Sequence, residues 1–303
     1  MLSCTNKQAV QLNLVIKNIR RREKMTYKLF TDSSADLSSE VIEKYKITVV
    51  PLSVRFDEEE YFDLTPKEFY DKLEVSDTLP ITSQVSPESF ITAFKEVLDK
   101  GNKIICVTIG ANASGTFQSA TIAKESLETE DIILIDSNSL CLGTGMIAVK
   151  IGQMLEKGAD LEAILQMAQY HTNNKIEHLF CVDTLKYLKK GGRIKASKAV
   201  IAEVLNIKPV LVVDNAITVP FGKVRGRNKV ISYFVEHIKS NFDYEKNNVV
   251  IVGHSQDRPF ADKMVEALKT EVGYEGEIIV SEIGAIIGTH AGPGVLAVFY
   301  VKK

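Results

Sequence analysis

The chain has 303 residues, 45% apolar and 25% charged, the balance of an ordinary globular protein with room for one large domain or two. Its 37 Lys and Arg against 39 Asp and Glu leave a formal charge of −2, which gives no general electrostatic footprint for nucleic acid or an anionic membrane. No apolar run approaches the roughly 20 residues of a membrane-spanning helix, and the four cysteines (Cys4, Cys106, Cys141 and Cys181) form no CxxC pair, which argues against a zinc knuckle or a redox motif.

The first 25 residues contain a short apolar stretch, LNLVI, followed by a basic cluster. That order, with no small-residue cleavage site, is not that of a signal peptide. The stretch reads either as a short amphipathic arm or as sequence upstream of a start at Met25, because Arg21, Arg22, Glu23 and Lys24 can all be purine-rich codons of a ribosome-binding site read in frame. Mass-spectrometric detection of a peptide from residues 1–20 of the native protein would refute the second reading.

From Tyr27 short β-rich runs alternate with helical stretches, which predicts an α/β fold with a largely parallel sheet. The expected strands are 27–32, 47–54, 103–109 and 131–136. Helices are expected from about Ser38, Pro66, Pro87, Thr116, Leu142 and Asp160. Pro66 and Pro87 each follow a Thr or Ser, the pattern of a cap and a proline at the first helical position, and Phe90, Phe94, Val97 and Leu98 form a core-facing stripe. Cys106 and Cys181 lie in apolar runs and read as small buried hydrophobes, and unpaired cysteines fit the cytoplasm.

The second half changes character. A hairpin turn is expected at Asp214-Asn215, a helix over about 228–242, strands at 248–255 and 277–284, and a buried closing strand, GVLAVFYV. The expected organisation is an extension over 1–25, an α/β domain over 26–170 and a smaller mixed-sheet α/β domain over 171–303.

The first-half strands end in turns rich in hydroxyl groups: TDSSAD (31–36), GANASGT (110–116) and DSNSLCLGTG (136–145), with TSQVSP (82–87) before a helix. Ligands of open parallel sheets bind outside the carboxyl ends of the strands, and helix N-termini favour anions. Such turns also serve simply as helix caps, the reading favoured for Ser33 and Ser34. Ser114-Gly115-Thr116 points more to a ligand. None of the turns has the GxGxxG or P-loop pattern, so no nucleotide cofactor is expected, and no ligand spacing implies a metal. His290, in the glycine-rich stretch 283–294, and His254, at a strand end, are candidate functional histidines; His171, His178 and His237 read as surface or packing residues. Arg193 in KKGGRIK, and Arg225 and Arg227 in GKVRGRN, are candidates for an anion or partner contact.

Taken in order, TDSSADL, TSQVSP, SGTFQSA, IDSNSLCLGTG, LKKGGRI, IKPVL, GKVRGR, HSQD and GTHAGPG resemble the motifs of the DegV family of bacterial fatty-acid-binding proteins, over about residues 27–302. The resemblance implies two α/β domains with an acyl chain buried in a tunnel and its carboxylate held at Thr82, Ser114 and His290. It also implies a functional role for Arg225, with Arg227 competing for it. It further implies hand-over of a long-chain fatty acid to a separate ATP-binding kinase subunit whose acyl phosphate feeds phospholipid synthesis, and no catalysis by this chain alone. Two other readings stand beside it. One is a serine acyl hydrolase using Ser114 with His290 or His254, although the GxSxG elbow is absent. The other is an interaction protein with no small ligand.

Overall fold

The computed structural model describes residues 26–195 and 206–303; the extension 1–25, with both of its readings, lies outside the described residues. Strands β1 (Tyr27–Asp32), β2 (Thr48–Val50), β6 (Lys103–Thr108) and β7 (Ile132–Asp136) make a parallel sheet in the order β2-β1-β6-β7. The expected strand over 47–54 divides in two. Pro51 has no N–H for a ladder, and the chain turns there, with Leu52 N donating to Ser33 Oγ at 2.9 Å. Beyond the turn, β3 (Ser53–Phe56) joins a separate small antiparallel sheet, between β4 (Glu59–Tyr61) and β5 (Ile81–Ser83). The TSQ stretch is therefore a strand as well as the approach to a helix.

The helices start where capping chemistry places them. Ser38, Thr65, Ser86 and Asp160 cap α1 (Ser39–Tyr45), α2 (Pro66–Val75), α3 (Pro87–Leu98) and α6 (Leu161–Thr172), each accepting a backbone N–H. Phe90 and Phe94 of α3 are fully buried, contributing roughly 1.5–3 kcal/mol each. Helix α4 (Thr116–Ser126) opens directly from the SGT turn. Helix α5 (Leu142–Glu156) is buried all round from Leu142 to Gly152 because it packs against strands of both large sheets.

The second large sheet has the order β10-β9-β8-β13-β11-β12, from β8 (Ile176–Cys181), β9 (Ile207–Asp214), β10 (Ile217–Arg225), β11 (Val249–His254), β12 (Glu277–Glu282) and β13 (Leu296–Val301). All its neighbours are antiparallel except β11 and β12. The β9–β10 turn is centred on Asn215 and Ala216, one residue later than expected. Both have positive φ (49° and 58°), the geometry of a type I′ turn. The buried Ala216 rests on Gly110, where a Cβ would lie 2.3 Å from its own. Asn112 and Asn138 donate to the backbone and side-chain oxygens of Asn215 at 3.1 and 3.3 Å, which ties the hairpin tip to the first sheet. Helices α7 (Lys186–Gly191), α8 (Val230–Asn241), α9 (Arg258–Thr270) and α10 (Ala285–Ala291) complete the described α-helices. Among the described residues no helix is long and apolar enough to cross a membrane. Cys106, Cys141 and Cys181 are free and buried.

Candidate ligand-binding site

Four turns and helices meet at one cavity of about 380 Å³ between the two large sheets. Strand β5 brings Thr82, the loop before α4 brings Ser114, the segment after α7 brings Arg193, and α10 brings His290. These residues lie in contact with one another's supports. Thr82 Oγ1 is 3.0 Å from His290 Nε2. Arg193 Nε donates to Ala113 O at 3.3 Å and Arg193 NH1 to Gly191 O at 2.8 Å. Gly191 is needed where it stands, because a Cβ there would fall 2.2 Å from His290 Nδ1.

The electrostatics follow from burial. His290 is half-buried, and desolvation, helped by the nearby Arg193 guanidinium, lowers its pKa to about 4, so the ring is neutral at pH 7. Nδ1 is buried with no hydrogen-bond partner. A proton there would be an orphaned donor, so the proton belongs on Nε2, facing Thr82. Thr82 Oγ1 then accepts from the ring and keeps its own proton for a ligand. Ser114 Oγ lies 2.9 Å from Thr116 Oγ1 and accepts from Thr116 N at 3.3 Å. Thr82, Ser114 and His290 are each only partly buried, so this end of the cavity meets solvent. Hydroxyl donors, a guanidinium and a neutral imidazole, with no carboxylate among the lining residues, make a set that suits an anion.

Most of the remaining lining is apolar, with Leu140, Phe180, Leu188, Ile283, Val295 and Phe299 representative, and Ser83, Gln84 and Thr218 add polar groups. His178 also lines it, although it was expected only as a surface or packing residue. It is a packing residue of a particular kind. Its Nδ1 donates to Ile176 O at 3.1 Å, while Nε2 accepts from Ser139 Oγ at 2.7 Å and, more weakly, from Leu140 N at 3.4 Å. Burial lowers its pKa to about 3, so it presents a neutral, satisfied ring to the cavity. Cys141 lines the cavity as well, and its thiol donates to the Asp36 carboxyl at 3.1 Å. Neither contact was readable from a motif. The one available signal was a polar residue inside an otherwise apolar strand.

The remaining candidates lie elsewhere. Arg225 is exposed at the end of β10. Arg227 is held internally: NH1 bonds Asp183 and Gly294 O at 3.1 Å each, NH2 bonds Asp257 at 2.5 Å, and the guanidinium lies over the Phe260 ring. His254 is buried at the end of β11 and does not line the cavity. Among the described residues no hydrogen bond joins Ser114 to a histidine, and no group of three or more His, Cys, Asp or Glu is placed to hold a metal ion.

Comparison with known proteins places this geometry in context. Residues 26–303 match the profile of a family described as an uncharacterised protein of the DegV family. A DegV domain-containing protein of Clostridium perfringens is 34% identical over 281 residues, covering 91% of this chain and 98% of the relative. Among solved structures, a DegV family protein from Thermus thermophilus described by its fatty acid binding superposes with a TM-score of 0.83 at 28% identity, covering 92% of this chain and 100% of the other. Bacillus subtilis DegV, described as a fatty acid binding protein, superposes with a TM-score of 0.79 at 32% identity, again covering 92% and 100%.

Proposed function

The chain belongs to the DegV family, and from that premise we propose that it binds a long-chain fatty acid and presents the carboxylate to a separate ATP-binding kinase subunit. The acyl phosphate made there feeds phospholipid synthesis in the cytoplasm, and this chain performs no chemistry alone. The observation that carries the reading is the convergence of Thr82, Ser114 and His290 on one largely apolar cavity. The Thr82 and Ser114 hydroxyls donate to the carboxylate, the neutral His290 ring orients Thr82, and Arg193 supplies positive charge. A buried carboxylate is tolerated only with such hydrogen bonds. Each methylene removed from water contributes about 0.8 kcal/mol, enough over a long chain to overcome the cost of association. The solvent-facing position of the donor cluster leaves the carboxylate within a kinase's reach.

Native mass spectrometry of gently purified protein is expected to show a co-purified mass in the fatty-acid range. Ser114→Ala is expected to weaken fatty-acid binding by about 10- to 150-fold, one charge-assisted hydrogen bond, while the protein stays folded. A clean unliganded mass from several preparations, or unchanged affinity and unchanged kinase-dependent turnover in Ser114→Ala, would overturn the assignment.

A further inference from the structure

A second cavity, of about 520 Å³, adjoins the first, and Leu52 and Ile286 line both. Much of its wall is apolar: Leu37, Ile42, Val49, Val54 and Leu64. Its polar lining is acidic or hydroxyl-bearing. Asp32, Asp36 and Glu282 line it together with the hydroxyl residues Thr31, Ser33 and Ser38, and no Lys, Arg or His is among its lining residues. The segment 61–66 on its edge belongs to residues 57–77, which hold nine Asp or Glu against two Lys, a balance of −7 in a chain whose total is −2. Thr31, fully buried in the wall, carries a hydroxyl with no hydrogen-bond partner among the described residues. A native fold rarely leaves such a group unpaired.

We propose that this cavity is a second ligand site, which takes an alkyl chain whose head group donates hydrogen bonds (a primary alcohol or an ammonium) and rejects carboxylates. The groups around it already act as acceptors. Ser33 Oγ accepts from Leu52 N, the Asp36 carboxyl accepts from Gly284 N and the Cys141 thiol, and Glu282 accepts from Gln256 N. A carboxylate there would meet Glu282 and, above about pH 7, an ionised Asp36 with no cation among the lining residues, whereas a hydroxyl or ammonium finds open lone pairs. The proposal does not rest on the fatty-acid reading of the first cavity.

The test is calorimetric titration of the intact protein with 1-decanol, decylammonium and decanoate, repeated at saturating long-chain fatty acid. The alcohol, the amine or both are expected to bind, and to keep binding at saturation; which of them does so separates a hydroxyl head from an ammonium. Ile42→Phe, which fills the second cavity and touches none of the first, is expected to weaken that binding at least about tenfold and to leave fatty-acid affinity unchanged. Thr31→Val, nearly the same shape without the hydroxyl, is expected to raise the Tm of the unliganded protein and to weaken binding of the alcohol or amine. The proposal is overturned if neither donor-headed probe binds, if fatty acid displaces them, if Ile42→Phe leaves their affinity intact, or if decanoate enters the same site equally well.

Discussion

The two adjoining cavities are lined by similar stretches of sequence and have opposite chemistry. Each is edged by a hydroxyl-rich turn that follows a parallel strand, TDSSAD after β1 and GANASGT after β6. The difference comes partly from the turns themselves, since TDSSAD carries two acids and GANASGT none, and partly from the half of the chain that closes each cavity. Over the SGT turn lie Arg193 and the neutral His290, so that cavity is rich in donors. Over the TDSSAD turn lies Glu282, which joins Asp32 and Asp36 of the turn itself, and that cavity is rich in acceptors. A hydroxyl can donate or accept, so it takes the role its surroundings leave open. The sign of the ligand is therefore set by the acids of the turn together with the residues that close over it.

The largest break in this contrast is expected from removing the donors of the first cavity together. Thr82→Val with Ser114→Ala should weaken fatty-acid binding by at least about a hundredfold, two charge-assisted bonds' worth, with an unchanged circular dichroism spectrum. Equal affinity in this double variant would mean that the apolar wall alone does the binding.

Asp36 sharpens the contrast from the other side. Burial raises its carboxyl from 3.8 to about 7, with Asp32 adding to the rise and the bonds from Cys141 and Gly284 N opposing it. Between those values the folded state keeps a proton that the unfolded chain has released. The group's contribution is therefore full below about pH 4 and is lost as pH climbs towards 7, at a cost of up to about 4 kcal/mol. Asp36→Asn cannot ionise. Chemical denaturation at pH 5 and pH 8 should show the wild type losing stability relative to this variant at the higher pH. The depressed histidines His178 and His290 act in the reverse sense in both proteins and cancel from the difference. A difference that does not change with pH would show that Asp36 ionises as it does in the unfolded chain.

Smaller effects are expected at the arginines. Arg193→Gln should weaken fatty-acid binding only a few-fold, and less at high salt, because the guanidinium is exposed. Arg225→Ala should leave fatty-acid affinity unchanged, since the side chain lies away from the cavity. A larger loss from Arg225→Ala than from Arg193→Gln, measured in the same titration, would reverse this assignment of charge.

Much of this was legible from residues alone. Caps and prolines marked the helices, apolar runs marked most strands, and ordered motifs brought Thr82, Ser114 and His290 into one proposal. The failures share a cause. Pro51 splits an apolar run into strands of two different sheets, which a β-rich composition hides. The hairpin turn moved by one residue because Ala216, an unusual choice at positive φ, is held there by packing on Gly110. That Arg227, a candidate for an anion or partner contact, is held by Asp183, Asp257 and Gly294 was not readable, because those partners are distant in sequence. The second cavity was not read from its TDSSAD motif, since its character also depends on Glu282 and Gly284 meeting that turn some 250 residues earlier in the chain.

Strand β13, the last in the chain, lies inside the second large sheet, paired with β8 on one side and β11 on the other. During synthesis, which proceeds from the N-terminus, the first sheet can assemble on the ribosome while β8 and β11 wait for the strand that joins them. A transcript cut before Leu296 would yield a chain with two unpaired edges in mid-sheet, a template for aggregation. Because residues of both β8 and β13 line the first cavity, that cavity is complete only once β13 has paired.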